Sequence, residues 1–408
     1  LATSSLGAVW SSCSPDFGTN GVLDRFSQIE PKVIFSAYGY RYNGKYYDSL
    51  KKLNVVLKEL PTVQKVILID NHNSDKINPK FEFISYQEIL ECTPNPLQFE
   101  QLPFDHPLYI MYSSGTTGLP KSIVHSSGGT LIQHMKELHF HCDLKREDTI
   151  FYFTTCGWMM WNWLVSALSI GSTIVLYDGS PFYPDGKEMW KLAAELEISV
   201  FGTSAKYIDA CRENDIFPST FSNLPKLRSI LSTGSPLVEE SFEYVYEHVK
   251  KDVHLASISG GTDIISCFAL GSPNLEVTKG ELQCRGLGMD VHSYDENGKP
   301  IIGKKGELVC ISAFPSMPVY FWNDSNGLKY KDAYFSTFSG VWHHGDFIRI
   351  SESGGLKIYG RSDSTLNPGG VRIGTSEMIK KVNSYLKIHD TQNLELPIMS
   401  VYDAAKYS

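Results

Sequence analysis

Short apolar runs alternate with longer amphipathic stretches along most of this chain, a pattern that predicts strands and helices in turn. Lys32–Phe35 and Lys65–Asp70 read as parallel-type strands, with a helix over Tyr47–Leu60 between them and a polar loop over Asn71–Lys80. Pro107–Met111 reads as a short buried strand, and Ser127–Gly129 leads into a helix running through Leu138. The alternation continues with strand Thr149–Thr154, helix Trp161–Ile170, strand Ser172–Tyr177 and helix Lys187–Leu196. It ends with strand Ser199–Gly202, helix Ala205–Asn214, strand Arg228–Thr233, helix Val238–Lys250 and strand His254–Ser259. Such β-α alternation predicts a mostly parallel sheet covered by helices on both faces. From Gly280 the pattern changes. Asp295–Gly298 and Ser351–Gly355 are hairpin turns between period-two runs, which predicts an antiparallel, barrel-like subdomain.

One apolar stretch invites a different reading. Ile150–Tyr177 carries no charged residue and is long enough to span a bilayer. Its interior serines, threonines and glycines divide it into strand, helix and strand, so a buried β-α-β unit is expected and a membrane span is not. The 408 residues carry a net charge of −8, which leaves no basic footprint and argues against a nucleic-acid partner. Eight scattered cysteines without a Cys-x-x-Cys pair suit reduced thiols, and the chain opens on Leu1 without a signal pattern. A cytosolic protein is expected. The sequence gives no indication of oligomeric state.

The stretch Tyr112–Lys121 is where chemistry is most concentrated. Gly115 and Gly118 let the backbone approach a ligand closely. Ser113, Ser114, Thr116 and Thr117 add short donors, and Lys121 adds a point charge. The loop suits a polyphosphate, yet it is not a Walker A loop, because Pro120 stands where that pattern requires glycine. Further on, Thr262–Asp263 offers a hydroxyl followed by a carboxylate, which together suit a Mg2+ bridging phosphate oxygens. Taken alone, Asp263 reads more readily as a helix cap than as a ligand. Ser232–Pro236, taken alone, is a turn before a helix. His343 and His344 invite a metal, but neighbours on a strand point to opposite faces and no third ligand is suitably spaced.

Five motifs in order resemble the adenylate-forming enzymes, the superfamily of acyl-CoA synthetases, luciferases and peptide-synthetase adenylation domains. They are Tyr112–Lys121, Ser232–Pro236, Ser259–Asp263, Trp342–Asp346 ahead of a strand, and Gly360–Asp363 with Leu366–Arg372. The resemblance implies an ATP site made by Ser113, Ser114, Gly115, Thr116, Thr117, Gly118 and Lys121, with Gly234, Ser235 and Pro236 at the adenine. It adds Ser259, Gly260, Gly261 and Thr262 to that site, with Asp346 and Arg361 at the ribose and Arg372 near the phosphates. Catalytic roles would fall to Lys121, Thr262, Asp263 and Arg372, with Asp263 holding Mg2+. Asp363 would be a hinge, and Gly369 and Gly370 would leave room for coenzyme A. The family commonly has Thr-Glu where this chain has Thr262–Asp263, a shorter arm.

Within the superfamily, Trp10–Arg25, Ile29–Lys32, Tyr40–Gly44 and Thr155–Asn162 resemble the acetoacetate–CoA ligases, from residue 1 to about residue 385. Their acetate-specific relatives place bulky tryptophans where Ser259 and Gly260 stand here. The exchange implies a roomier acyl pocket, with Met159, Met160, Thr233 and Gly260 as candidate lining, although methionine is also a common core filler. Replacing Gly260 with tryptophan is then expected to shift preference towards acetate. The implied reaction joins acetoacetate to ATP as an acyl-adenylate, then to coenzyme A. The expected division is a large domain over residues 1–362, N-terminally incomplete, followed by a hinge and the start of a small α+β domain over 363–408. The family's catalytic lysine is absent, since none of Lys380, Lys381, Lys387 and Lys406 lies in a matching segment. Two further readings stay open: an inactive nucleotide-binding fragment, and a ligase for acetate or propionate.

Overall fold

The computed structural model describes residues 1–69, 80–113 and 119–362, together with the backbone of the short strands Thr365–Leu366 and Ile373–Gly374. The first layer pairs β1 (Val33–Ala37) in parallel with β2 (Lys65–Ile69), and α1 (Leu50–Glu59) joins them. The predicted helix over Tyr47–Leu60 starts late, because Lys45–Asp48 pairs with Gly39–Tyr42 as a hairpin. Tyr40 stacks on Tyr47 across it, a contact that only a strand pairing provides. The expected loop Asn71–Lys80 lies outside the described residues except for Lys80.

β3 (Pro107–Ser113) and β4 (Lys121–Ser126) form an antiparallel hairpin, followed at once by α2 (Ser127–Lys136). The strand β4 was not anticipated: its apolar run is short and abuts the helix without a turn signal. Ser126 caps α2, its hydroxyl accepting from the Gly129 N–H at 3.2 Å. The helix then widens into a π turn over Glu137–His141.

The parallel sheet that follows has β5 (Thr149–Tyr152), α3 (Met159–Ser166), β6 (Thr173–Val175), α4 (Glu188–Glu195), β7 (Val200–Ser204), α5 (Ala205–Glu213), β8 (Ser229–Thr233), α6 (Glu239–Tyr244) and β9 (His254–Ser257). Its strand order is β6-β5-β7-β8-β9, all parallel. The even burial of both faces explains why its strands read as continuous apolar runs. Phe151, Phe201, Ile230 and Leu255 point to one side, into a core with Trp190, Ile208 and Phe242. Their neighbours Ile150, Val200, Leu231 and Ala256 point to the other, towards Leu138, Met160 and Trp163. The charge-free stretch Ile150–Tyr177 is therefore the expected β-α-β unit, and among the described residues no helix is long and apolar enough to cross a membrane.

Beyond β9 the sheet gives way to antiparallel pairing. β10 (Ser259–Gly261) and β11 (Ser266–Leu270) make a tight hairpin around the turn Thr262–Ile264. β12 (Val291–Tyr294), β13 (Lys305–Cys310), β14 (Trp342–Ile350) and β15 (Leu356–Arg361) follow as one antiparallel sheet, with α7 (Leu328–Phe335) packed against β14. Both predicted turns are present, with Gly298 at φ 72° and Gly354 at φ 92°. Trp342–Asp346 does not precede a strand, as expected, but forms the first half of β14.

Candidate active site

The hairpin β3–β4 brings Ser113 directly opposite Lys121. The five positions between them that carry the loop chemistry, Ser114, Gly115, Thr116, Thr117 and Gly118, lie outside the described residues, as do Asp363, Gly369, Gly370 and Arg372. The two flanks, however, converge on one atom. Lys121 Nζ lies 2.5 Å from Asp263 Oδ1, and Ser113 Oγ donates to the same oxygen at 3.3 Å. Asp263 is 1% exposed, so this ion pair is shielded on the carboxylate side. Asp263 sits inside the turn between β10 and β11, and does not act as the cap of an α-helix.

That turn is held from several directions. Ile265, which ends it, has φ 46°, an unfavourable conformation for a β-branched residue that the surrounding contacts enforce. His125 Nε2 lies 3.0 Å from the Thr262 carbonyl, which can only accept, so that nitrogen carries the proton. Burial pulls the His125 pKa down to about 4, which keeps the ring neutral. A third donor reaches Asp263 from α7: the Tyr334 hydroxyl donates to Oδ1 at 2.7 Å. The Tyr334 ring lies 4.9 Å from Lys121 Nζ and stacks on Trp342 at 3.7 Å between centroids.

Asp346 and Arg361 are paired across β14 and β15, and Arg361 Nη1 donates to Asp346 Oδ2 at 3.3 Å. The two residues that the resemblance assigned to one ribose are therefore side by side. The adjacent histidines diverge as expected: His343 meets Glu307 at 2.9 Å, while buried His344 lies 3.5 Å from Asp346. Among the described residues no group of three or more histidine, cysteine or carboxylate side chains gathers to hold a metal unaided. Magnesium needs few protein ligands beside phosphate oxygens and water, and the single buried Asp263 carboxylate fits that donor set.

Gly234, Ser235 and Pro236 occupy the turn at the carboxyl end of β8, with Gly234 at φ 93°. Thr233 Oγ1 donates to the Ile258 carbonyl at 2.9 Å, tying this turn to the segment that leads into Ser259. Open α/β sheets bind ligands beyond such strand ends. The acyl-pocket candidates fare differently. Met159 and Met160 are buried core residues packed with Tyr152, Trp163 and Ile258. At Gly260 a Cβ would lie 2.0 Å from the Ser266 carbonyl oxygen and 2.5 Å from Cys267 Cα. The neighbouring strand alone requires glycine there, so its smallness is no measure of pocket size. A tryptophan at Gly260 would displace β11 before it could report on acid preference.

Two contributors were not singled out from sequence. Tyr334 is one; it sits among other aromatics with nothing to set it apart. Glu137 is the other, fully buried in the π turn. Its Oε1 accepts from Ser266 Oγ at 2.5 Å and from the Cys267 N–H at 3.2 Å, and its Oε2 accepts from Trp163 Nε1 at 2.9 Å.

Residues 1–321 match the AMP-binding enzyme family. This chain belongs to it. Among AMP-binding enzymes, it is 56% identical over 386 residues to the acetoacetyl-coenzyme A synthetase of Rhizobium meliloti (strain 1021), covering 94% of this chain and 59% of that protein. It is 51% identical over 399 residues to the acetoacetyl-CoA synthetase of Gallus gallus, covering 96% of this chain and 60% of the relative. The solved structure of acetoacetyl-CoA synthetase from Streptomyces lividans superposes with a TM-score of 0.84 at 45% identity, over 94% of this chain and 59% of that one. The chain thus spans about six-tenths of the length of these relatives.

Proposed function

We propose that this chain is the nucleotide-binding part of an ATP-dependent acid–thiol ligase that activates acetoacetate and transfers it to coenzyme A. The observation that carries the reading is the convergence of Lys121, Ser113 and Tyr334 on the buried carboxylate of Asp263, beside the Asp346–Arg361 pair. Acetoacetate as the acid is supported by relatives of that printed name at 56% and 51% identity.

In the proposed reaction the acid's carboxylate attacks the α-phosphorus of ATP and pyrophosphate leaves. The thiol of coenzyme A then displaces AMP from the acyl-adenylate. Catalysis is by positioning and charge stabilisation, with no covalent enzyme intermediate. Lys121 turns from Asp263 to the phosphates, so the ion pair exchanges one set of charged partners for another. Asp263 is then the side chain that holds Mg2+, which when bound neutralises phosphate charge. The bound ribose takes its hydrogen bonds from Asp346 and Arg361, and the adenine rests on Gly234–Pro236. The loop residues Ser114–Gly118, Arg372, the hinge at Asp363 and the room at Gly369 and Gly370 complete the assignment, on the motifs alone. With them goes the division into an adenylating domain to residue 362 and a small domain from 363. A cytosolic setting goes with the reading too, supported by eight unbridged cysteines.

The test is ATP–pyrophosphate exchange by the full-length protein with acetoacetate, acetate and propionate. Acetoacetate should support exchange at least about tenfold better, the low end of what a pocket gains from one extra carbon group of the right acid. Equal exchange with acetate would sink the assignment of the acid.

A further inference from the structure

We infer that Tyr334 is a positioning residue that aims the Asp263 carboxylate while leaving its charge intact. The inference rests on the proposed role of Asp263 towards Mg2+ and ATP. It concerns a side chain that none of the sequence motifs contains.

The geometry starts with how the ring is held. Asp324 accepts from the N–H groups of Lys329 and Tyr330 at 3.2 and 2.9 Å, which fixes the first turn of α7. One turn on, Tyr334 is 3% exposed and lies nearly parallel to Trp342, at an interplanar angle of 14°. Tyr330 and Phe321 close edge-on against it, at 5.4 and 5.6 Å between centroids. A ring boxed in this way has little freedom, so its hydroxyl points where the box points it. The oxygen lies 2.7 Å from Asp263 Oδ1, and since a carboxylate only accepts, the phenol donates.

The charge argument follows. Lys121 also binds Oδ1, but a lysine that serves the phosphates must leave the carboxylate when nucleotide arrives, and while it stays it competes with any cation. A phenol does not compete. It donates a hydrogen bond to the charged oxygen without cancelling the charge, and so keeps the carboxylate fixed for a metal. The same ring presents its negative face to the Lys121 ammonium at 4.9 Å, with Phe321 at 5.9 Å, giving the cation a resting place beside the carboxylate. Tyr334 thus touches both charges that have to change partners. The short arm of Asp263 makes the aim stringent, since an aspartate has fewer rotamers than a glutamate with which to correct a misplaced backbone.

The decisive variant is Tyr334→Phe in the full-length protein, which keeps the ring, the stack and the cation–π contact and removes one hydroxyl. ATP binding is measured by calorimetry across a Mg2+ titration. The Mg2+ concentration for half-maximal ATP binding should rise about tenfold, the factor lost with one hydrogen bond to a charged group. ATP binding in excess EDTA should stay within about twofold, and the melting temperature should hold to within a few degrees. In an Asp263→Asn background the same change should have no further effect on the Mg2+ dependence. An unchanged Mg2+ requirement with wild-type ATP binding would overturn the inference and leave the proposed function standing. Wild-type protein that binds no ATP would overturn both. A variant that loses its melting transition would also overturn the inference, because the hydroxyl would then serve the fold.

Discussion

Glu137 and Asp263 are both buried carboxylates, and both brace the short segment that runs from the Thr262 turn into β11. Their surroundings differ in kind. Around Glu137 the donors are a serine, a glutamine, an indole and a backbone N–H from packed elements, with Lys136 Nζ at 3.6 Å. Around Asp263 the donors come from the β3–β4 hairpin and from α7, and the nearest is a lysine that is 24% exposed. A carboxylate whose donors are neutral and buried suits a structural part. One held by a partly exposed cation and two hydroxyls suits the exchange of partners in the proposed function. Burial of the acid alone does not separate the two; the exposure and charge of its donors do.

The sharpest way to break this contrast is to remove each acid. Glu137→Ala should destabilise the fold by about 3–5 kcal/mol, since it orphans several buried donors and Lys136 together. Urea unfolding should show the lower midpoint with the slope unchanged, and the protein that remains folded should bind ATP normally. Asp263→Asn should do the reverse. Its exchange rate should fall by about 10²- to 10³-fold, the usual cost of one preorganised electrostatic contact, with a melting temperature near that of the parent. If Asp263→Asn proves the less stable of the two, the distinction fails.

A backbone test sharpens the picture further. Gly260→Ala should cost about 1–3 kcal/mol, because the new methyl meets the Ser266 carbonyl and forces β10 and β11 apart. Since Glu137 also grips Ser266, the strain should pass to the Glu137 side, visible as faster hydrogen exchange at the Cys267 amide.

The smallest effect is acid lability on the Glu137 side. His141 accepts the Leu287 N–H at Nε2 and donates from Nδ1 to the Gly271 carbonyl, so the folded ring is neutral. Burial lowers the pKa of His141, and of His134 nearby, below the 6.5 of an exposed imidazole. Below pH 6.5 the unfolded chain therefore takes up protons that the folded chain does not. Stability should be flat above that pH and fall below it, by at most about 1.4 kcal/mol per pH unit for each histidine. Urea midpoints between pH 5 and 8 measure it.

Much of this architecture was legible in the sequence, for a physical reason. A strand buried on both faces disfavours charge, so β5, β7, β8 and β9 announce themselves as runs free of acidic and basic residues other than His254, such as Ser229–Thr233. The hairpin strand Lys45–Asp48 was hidden because its tyrosines suit either a strand or the amphipathic helix that follows. At the site, Lys121 and Asp263 could each be picked out as chemistry. Their contact could not, because it joins residues 142 positions apart. Glu137 was illegible for the opposite reason: a lone glutamate in a helical stretch normally faces water, and only the widened turn and the opposing Ser266 reverse that.

The pairing of Ser113 with Lys121 has one more consequence. Only seven positions separate these two residues, so their pairing in the β3–β4 ladder closes a short span of chain within the fold itself. Bringing the ends of a free segment together costs conformational freedom that grows with its length. Here folding has already met that cost for the two flanking residues, Ser113 and Lys121.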